Sequence, residues 1–355
     1  MYFVHPQLKL NRFKKINLSQ KLTDYFPGKQ LVFTDMGRSA FRIIVEKLNL
    51  QNSEIMMPAY ICDIFARILE QYNIKPIFLD IDLETLHIRR EEVIRKITPQ
   101  TKAILVCHTY GLPFDADALR SDLLSNLSGG RTSDITIIED CAHAFGIQPQ
   151  SEVAFFSLYK QFPALRGGLL VCPKEWQIGK LPGTSFSFRD FLSLLNCFPL
   201  FAFFFKKFGK DIAPKLLRKE KLPEPAGINR ISLNLFAAFL DDFEKSLPER
   251  QKLALFFQDE LKKLGFGVQE SKDNLFCYLS ALVPKDLEEK RDKIVEMLRK
   301  DRVFCTRIWH TPIMLNKDEF PNTFEAARRI INFPLQNHYT EKDIKKMINA
   351  IKKVL

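Results

Sequence analysis

Lys102-Ala-Ile-Leu-Val-Cys107 and Asp134-Ile-Thr-Ile-Ile-Glu139 are short apolar runs, each followed at once by a polar side chain, His108 and Asp140. Runs of this length without polar alternation read as strands buried on both faces. The pattern extends outward in both directions. Glu54-Ile-Met-Met-Pro58 and Lys75-Pro-Ile-Phe-Leu-Asp80 precede it; Ala154-Phe-Phe-Ser157 and Gly168-Leu-Leu-Val-Cys172 follow it. Helix-period segments lie between. Gly37-Arg38-Ser39 opens one that sets Phe41, Ile44, Val45 and Leu48 on one face; Ile64 to Tyr72 and Glu91 to Ile97 are two more. Alternating β and α elements predict an α/β fold, three layers α/β/α around a mostly parallel sheet. Such sheets bind ligands beyond the carboxyl ends of their strands, where His108 and Asp140 fall.

The chain has 355 residues, long enough for one large domain or two moderate ones. Its hydrophobic fraction of 46% and charged fraction of 27% are those of a chain with a packed core, not of a disordered one. Seven scattered Cys without a close pair read as reduced thiols in a cytoplasmic protein. The N-terminus shows no uninterrupted apolar stretch of the secretory kind. A formal net charge of +11 and 32 Phe raise nucleic acid and membrane surface as partners. Nucleic acid is not expected, because the basic residues do not alternate with aromatics on strands. The longest apolar run, Phe191 to Phe205, is shorter than the ~20 residues a membrane span needs and contains Asn196 and Pro199.

Beyond Pro182 the character changes. Residues 186–208 hold nine Phe, and 206–221 hold seven Lys and Arg against two Asp and Glu. Past Pro225 helical periodicity returns, with Ser232 to Leu247 and Glu249 to Leu264 as separate helices. Ser271 to Val283 reads as strand, Glu288 to Lys300 and Glu341 to Val354 as helices. The expected layout is an N-terminal arm (1–30), a large domain (31–230) with a Phe-rich basic insertion at about 185–222, and a smaller C-terminal α+β domain (231–355).

Several side chains fall in a meaningful order. The Gly37-Arg38-Ser39 helix start offers free N–H groups and a positive dipole end to a phosphate. His108 and Asp140 follow strand ends, and Ser157-Leu-Tyr-Lys160 follows another, with Gly167-Gly168 leading into the next strand. A lysine amine, a carboxylate and a phosphate cradle are what pyridoxal 5'-phosphate requires: the lysine for a Schiff base, the carboxylate to keep the pyridine nitrogen protonated. Taken singly, each has a plainer reading, Lys160 as a solvated charge and Asp140 as a helix cap. Their order along one α/β chain lends weight to the functional one. Cys107/His108 and Cys141/His143 also resemble metal ligands, but pocket lining and core thiols explain them, and no metal is expected.

The run Glu139-Asp-Cys-Ala-His-Ala-Phe-Gly146 resembles the "EDAAQAHG" motif of the DegT/DnrJ-type, pyridoxal-phosphate-dependent sugar aminotransferases. So do Pro58-Ala-Tyr60, Thr98-Pro-Gln-Thr-Lys-Ala103, His108-Thr-Tyr-Gly111 and Phe156-Ser-Leu-Tyr-Lys160. Near the C-terminus, Ile331-Asn-Phe-Pro-Leu335 followed by Tyr339-Thr-Glu-Lys-Asp343 resembles the family's closing motif. The resemblance runs from about Leu31 to Leu355 and implies fold type I. It implies Lys160 as the Schiff-base lysine and proton shuttle, Asp140 on the pyridine nitrogen, and His143 beside the phenolic oxygen. Gly37, Arg38, Ser39 and Ser157 would hold the phosphate, with Cys62 and His108 lining the cofactor. Asn229, in Gly-Ile-Asn229, would reach the phosphate of a neighbouring subunit in a homodimer.

Departures bear on the substrate more than on the cofactor. Cys62 stands where relatives cover the cofactor ring with an aromatic. Ser157 precedes Lys160 by three positions, closer than in most of the family. His143 replaces Gln, the hairpin between the Asp and Lys motifs shrinks to about Gln148–Glu152, and Arg166 replaces a Glu as an added anion contact. Arg307 is a candidate for a substrate carboxylate or phosphate, and Trp309-His310 for the substrate pocket. The resulting expectation is an aminotransferase moving an amino group from an amino acid, such as glutamate, to a nucleotide-linked keto sugar in polysaccharide or glycan biosynthesis. A different acceptor, dehydratase chemistry, or a non-catalytic relative acting at a membrane surface or in an assembly stand as alternatives. Three readings of the insertion stay open: an extra core helix pair, a subunit interface, or a peripheral contact of 186–221 with the inner face of the membrane.

Overall fold

The computed structural model describes residues 1–8, 18–126, 135–208, 222–313 and 316–355. Most of the basic run, 209–221, and Asp134 lie outside the described residues. The described strands are β1 Tyr2–Phe3, β2 Lys29–Thr34, β3 Glu54–Pro58, β4 Lys75–Leu79, β5 Thr101–Cys107, β6 Thr136–Asp140, β7 Val153–Ser157, β8 Gly168–Pro173, β9 Gly267–Val268, β10 Leu279–Leu282, β11 Val303–Phe304 and β12 Ile330–Phe333. Seven of them form one sheet in the order β2-β8-β7-β6-β5-β3-β4.

Connection length explains the strand directions. Helices Asp63–Gln71, Arg90–Lys96 and Ala116–Asn126 carry the chain between β3, β4, β5 and β6, and these strands pair in parallel. Between β7 and β8 there are only ten residues, including the single-turn helix Leu158–Gln161. That is too short for a parallel crossover, so β8 runs antiparallel to both β7 and β2. Side chains alternate across the strands as the pleat requires. Leu105 and Phe155 join Phe41, Ile44 and Leu69 on one face. On the other, Ile104 and Val106 join Leu119 and Ile137, while Phe156 and Leu169 join Phe145 and Phe236. The helix Ala116–Asn126, whose apolar face is narrow, was not among the elements expected from the sequence; nor was Pro321–Arg329, which opens with a proline suited to a first helical turn.

The two helices expected between Ser232 and Leu264 are one, Arg230–Lys262, 33 residues with Pro248 inside and about 50 Å long. An interior proline costs a helix about 3 kcal/mol. Burial on both sides of it offsets that cost. Phe236, Leu240 and Phe243 sit in the large-domain core; Leu253, Ala254, Phe257 and Leu261 sit in the core of the C-terminal unit. The expected boundary at 230/231 therefore falls at the start of a helix that both units share.

The C-terminal unit holds an antiparallel sheet β12-β10-β9 covered by Arg291–Lys300 and Glu341–Val354. The strand expected over Ser271–Val283 is confined to β10. Its first part is irregular because Asn274 Oδ1 accepts the Phe276 N–H at 2.7 Å and the Leu275 N–H donates to the Gly111 carbonyl at 2.9 Å. At the other terminus, β1 pairs in parallel with β11, and Gln336 Nε2 donates to the carbonyls of Phe3, Val4 and His5 at 2.9, 2.9 and 3.0 Å. Phe257 is fully buried where the shared helix meets this unit. Phe257→Ala is expected to lower the unfolding free energy by about 3–5 kcal/mol, read from urea denaturation.

Candidate active site

The ends of β5, β6 and β7 bring Cys107, Asp140 and Lys160 together. Cys107 and Asp140 are register partners on neighbouring parallel strands. Asp140 Oδ1 accepts the Ala142 N–H at 2.8 Å, and Cys107 Sγ lies 3.8 Å from Oδ2. Burial pushes the Asp140 carboxyl above its usual range, opposed chiefly by the charge of Lys160. Lys160 projects from the single turn after β7, its Nζ 2.9 Å from His143 Nε2.

His143 Nδ1 accepts the Tyr110 N–H at 3.3 Å. That bond leaves the proton of a neutral ring on Nε2, which donates to Lys160 when the amine is unprotonated. Burial, followed by the charge of Lys160, holds the imidazole well below its ordinary value. Tyr110 can aim that N–H because it sits at φ 60°. The following Gly111, at φ +109°, leaves no room for a side chain: a Cβ would lie 2.7 Å from the Phe276 nitrogen.

Helix Gly37–Lys47 begins beside Ser157. Its N-cap, Met36, offers no side-chain acceptor, so the first-turn N–H groups of Gly37 and Arg38 have no partner within the helix. A Cβ on Gly37 would lie 3.3 Å from the Phe156 carbonyl and 3.6 Å from Ser157 Cβ. One on Gly168 would lie 2.6 Å from the Met36 carbonyl. The two glycines thus let the helix start rest directly on β7 and β8. Arg38 Nε is buried without a partner, and Arg38 lines a cavity of about 480 Å³ together with Asp35, Tyr159 and Arg189. An orphaned guanidinium nitrogen and unspent N–H groups next to a buried Ser157 fit a phosphate. Ser39 is engaged within the chain: its hydroxyl donates to Asp35 Oδ1 at 2.6 Å and its N–H to the Met36 carbonyl at 3.0 Å.

Other expected residues divide. Cys62 belongs to the pocket: burial pushes its thiol up and the charge of Lys160 pulls it down. His108 does not offer itself, since Nε2 bonds Glu139 Oε2 at 2.9 Å and Nδ1 accepts the Phe114 N–H at 3.0 Å. Its ring ties the loop at Phe114 to β6. That bond also accounts for the close grouping of His108, Glu139 and Cys141. Asn229 Oδ1 accepts the Ser232 N–H at 2.8 Å, capping the shared helix, and Nδ2 faces Asp190 Oδ2 at 3.5 Å. Both groups are thus engaged within the chain. Arg166 lines the same cavity as Arg38 but is engaged within the chain. It makes two bonds to the buried Asp190, 2.7 and 2.8 Å. Arg307 is paired with Asp292.

Sequence reasoning passed over an aromatic box. Tyr60 Oη meets Tyr110 Oη at 2.8 Å, and Tyr110 Oη donates to the Ile308 carbonyl at 2.9 Å. The Tyr110 ring stacks on His143 (5.5 Å) and on Trp309 (5.6 Å), with Tyr278 edge-on to His143. Tyr60 and Tyr110 stand inside motifs quoted above, Pro58-Ala-Tyr60 and His108-Thr-Tyr110, so the signal was present at those two positions. Tyr278 carried none.

The family model described as "DegT/DnrJ/EryC1/StrS aminotransferase family" matches residues 13–188 and 203–352. Among curated proteins, the chain is 23% identical to dTDP-4-amino-4,6-dideoxy-D-glucose transaminase of Shigella dysenteriae, over 95% of this chain and 89% of that one. It is 23% identical to GDP-perosamine synthase of Vibrio cholerae, over 94% and 88%. Among solved structures it is similar to the sugar aminotransferase CalS13 of Micromonospora echinospora, TM-score 0.72 at 16% identity over 100% of both chains. It is also similar to the E. coli GDP-4-keto-6-deoxy-D-mannose-3-dehydratase with bound hydrated PLP, TM-score 0.69 at 19% identity over 94% and 90%. At these identities the structures bear on the fold alone.

The raised carboxyl of Asp140 has a measurable consequence. The folded protein binds an extra proton between the usual carboxylate range and the raised value, so Asp140 costs stability as the pH rises through that window. Asp140→Asn is expected to raise the melting temperature of cofactor-free protein at about pH 7, the gain shrinking toward about pH 4. Calorimetry across that range checks it; a lower melting temperature at neutral pH contradicts it.

Proposed function

Since the chain belongs to the DegT/DnrJ/EryC1/StrS aminotransferase family, we propose that it is a pyridoxal-phosphate-dependent aminotransferase. It moves an amino group from an amino acid, with glutamate as first choice, to a keto sugar carried on a nucleotide, in polysaccharide or glycan biosynthesis. It works in the cytoplasm as a homodimer. The observation that carries this reading is the convergence of Lys160, His143 and Asp140 at adjoining strand ends, Lys160 Nζ 2.9 Å from His143 Nε2. The transaminase and synthase named above are relatives along nearly their whole length, which supports a nucleotide-linked sugar as substrate class. The retained Lys160 and Asp140 speak against a non-catalytic role.

The group bound here would supply an electron sink for the carbon that loses or gains a proton. The residues of the chain do the rest. Gly37 and Arg38 would bind the phosphate through N–H groups at a positive helix end. Asp140, ionised beside Lys160, would keep the pyridine nitrogen protonated. His143 donates from Nε2 and, because burial keeps it neutral, adds no charge of its own. Lys160 Nζ would hold the cofactor and, as a free amine, would be the base that moves the proton in both half-reactions. The aromatic box formed by Tyr60, Tyr110 and Trp309 would exclude water from that transfer.

Purified protein mixed with pyridoxal phosphate should develop a visible absorption band that Lys160→Ala lacks, and glutamate should bleach the band in the wild type. Transamination by Lys160→Ala should fall at least about 10²–10⁴-fold. Absence of the band from the wild type would falsify the reading, and a band that no amino donor alters would point to different chemistry on the same cofactor.

A further inference from the structure

The family match stops at 188 and resumes at 203, and the stretch that spans this break, 186–205, carries most of the exposed large apolar side chains described. Seven of the eleven exposed large apolar side chains among the described residues lie between 186 and 205: Phe186, Phe188, Phe191, Leu200, Phe201, Phe204 and Phe205. Phe188 is 73% exposed and Leu200 59%. A patch so concentrated marks an interaction surface. It is carried by two helices, Phe188–Asn196 and Pro199–Phe208, bent by 110° at their junction.

The same helices are fastened to the body from beneath. Ser187 and Asp190 form a capping box, and the buried Asp190 is gripped by Arg166. The Cys197 carbonyl accepts the Leu8 N–H at 2.9 Å. Ala202 is buried against Phe3 and Phe304, with Phe203 packed beside them. So held, neither helix is free to turn its buried side outward. Among the described residues no single helix is long and apolar enough to cross a membrane, and helices of nine and ten residues are each about 15 Å long, half a hydrocarbon core.

We propose that this bent pair is a wedge that seats in the interfacial layer of an anionic lipid surface, holding the enzyme peripherally on a membrane. Charge selects this occupant. Residues 206–221, of which the first three end the second helix, carry seven Lys and Arg against two Asp and Glu. An anionic leaflet attracts that charge, while the headgroup layer accepts the aromatic side chains.

The test is co-sedimentation of the full chain with phosphatidylcholine vesicles, with and without phosphatidylserine. Binding is expected only to the anionic vesicles and should weaken as salt is raised. A triple variant, Phe188→Ser, Phe201→Ser and Phe204→Ser, should bind at least about tenfold more weakly, with an unchanged urea midpoint because all three side chains are exposed. Lys160→Ala should bind as the wild type does, which separates this surface from the proposed chemistry. Wild-type protein left in the supernatant overturns the proposal, as does equal binding by the triple variant. Dissociation of a wild-type dimer by the triple variant, without lipid binding, assigns the surface to a second copy instead.

Discussion

The short return from β7 to β8 governs much of the molecule. With ten residues available, the chain can only double back, and doing so places Lys160 in the turn at the carboxyl end of the sheet, beside Asp140 on the neighbouring strand. The same return delivers Gly167 and Gly168 against Met36, so that the Gly37–Lys47 helix starts where the turn ends. A longer connection would permit a parallel β8 and would separate the lysine from the helix end. Cradle, amine and carboxylate are thus consequences of one reversal rather than three independent placements.

What could be read in advance follows the strength of the local signal. Strands β3, β5 and β6 were legible because burial on both faces demands unbroken apolar runs, which leave no other reading at that length. The helix over Glu341–Val354 matched to the residue, its start set by the capping box of Thr340 and Asp343. The fusion of two expected helices across Pro248 was not legible. Periodicity reports which face is buried, not that two cores supply the burial that tolerates a proline. Helix Ala116–Asn126 escaped because only Ala116, Leu119 and Leu123 are buried along it, too sparse a stripe to stand out.

At the site the division has a similar cause. Motif order singled out Lys160, Asp140 and His143, which the fold brings to neighbouring strand ends, but a motif does not state how a hydrogen-bonding group is already spent. Ser39, His108, Asn229 and Arg166 each stand next to the pocket in sequence, and each is committed to another protein group. Arg166 and Asp190 show what replaced the Glu before the two glycines: an ion pair binding the return loop to the insertion. That pair links the departure in the motif to the departure in length, two features that read as unrelated along the chain.

The pairing of β1 with β11 carries a consequence for how the chain folds. Tyr2 meets Val303 and Phe3 meets Phe304, so two strands far apart along the chain must find each other. A contact of such separation carries a high loop-closure cost. The large sheet is built from segments much nearer one another and can form without it. The docking of residues 2–5 on β11 and Gln336 therefore belongs to the non-local, slower part of folding.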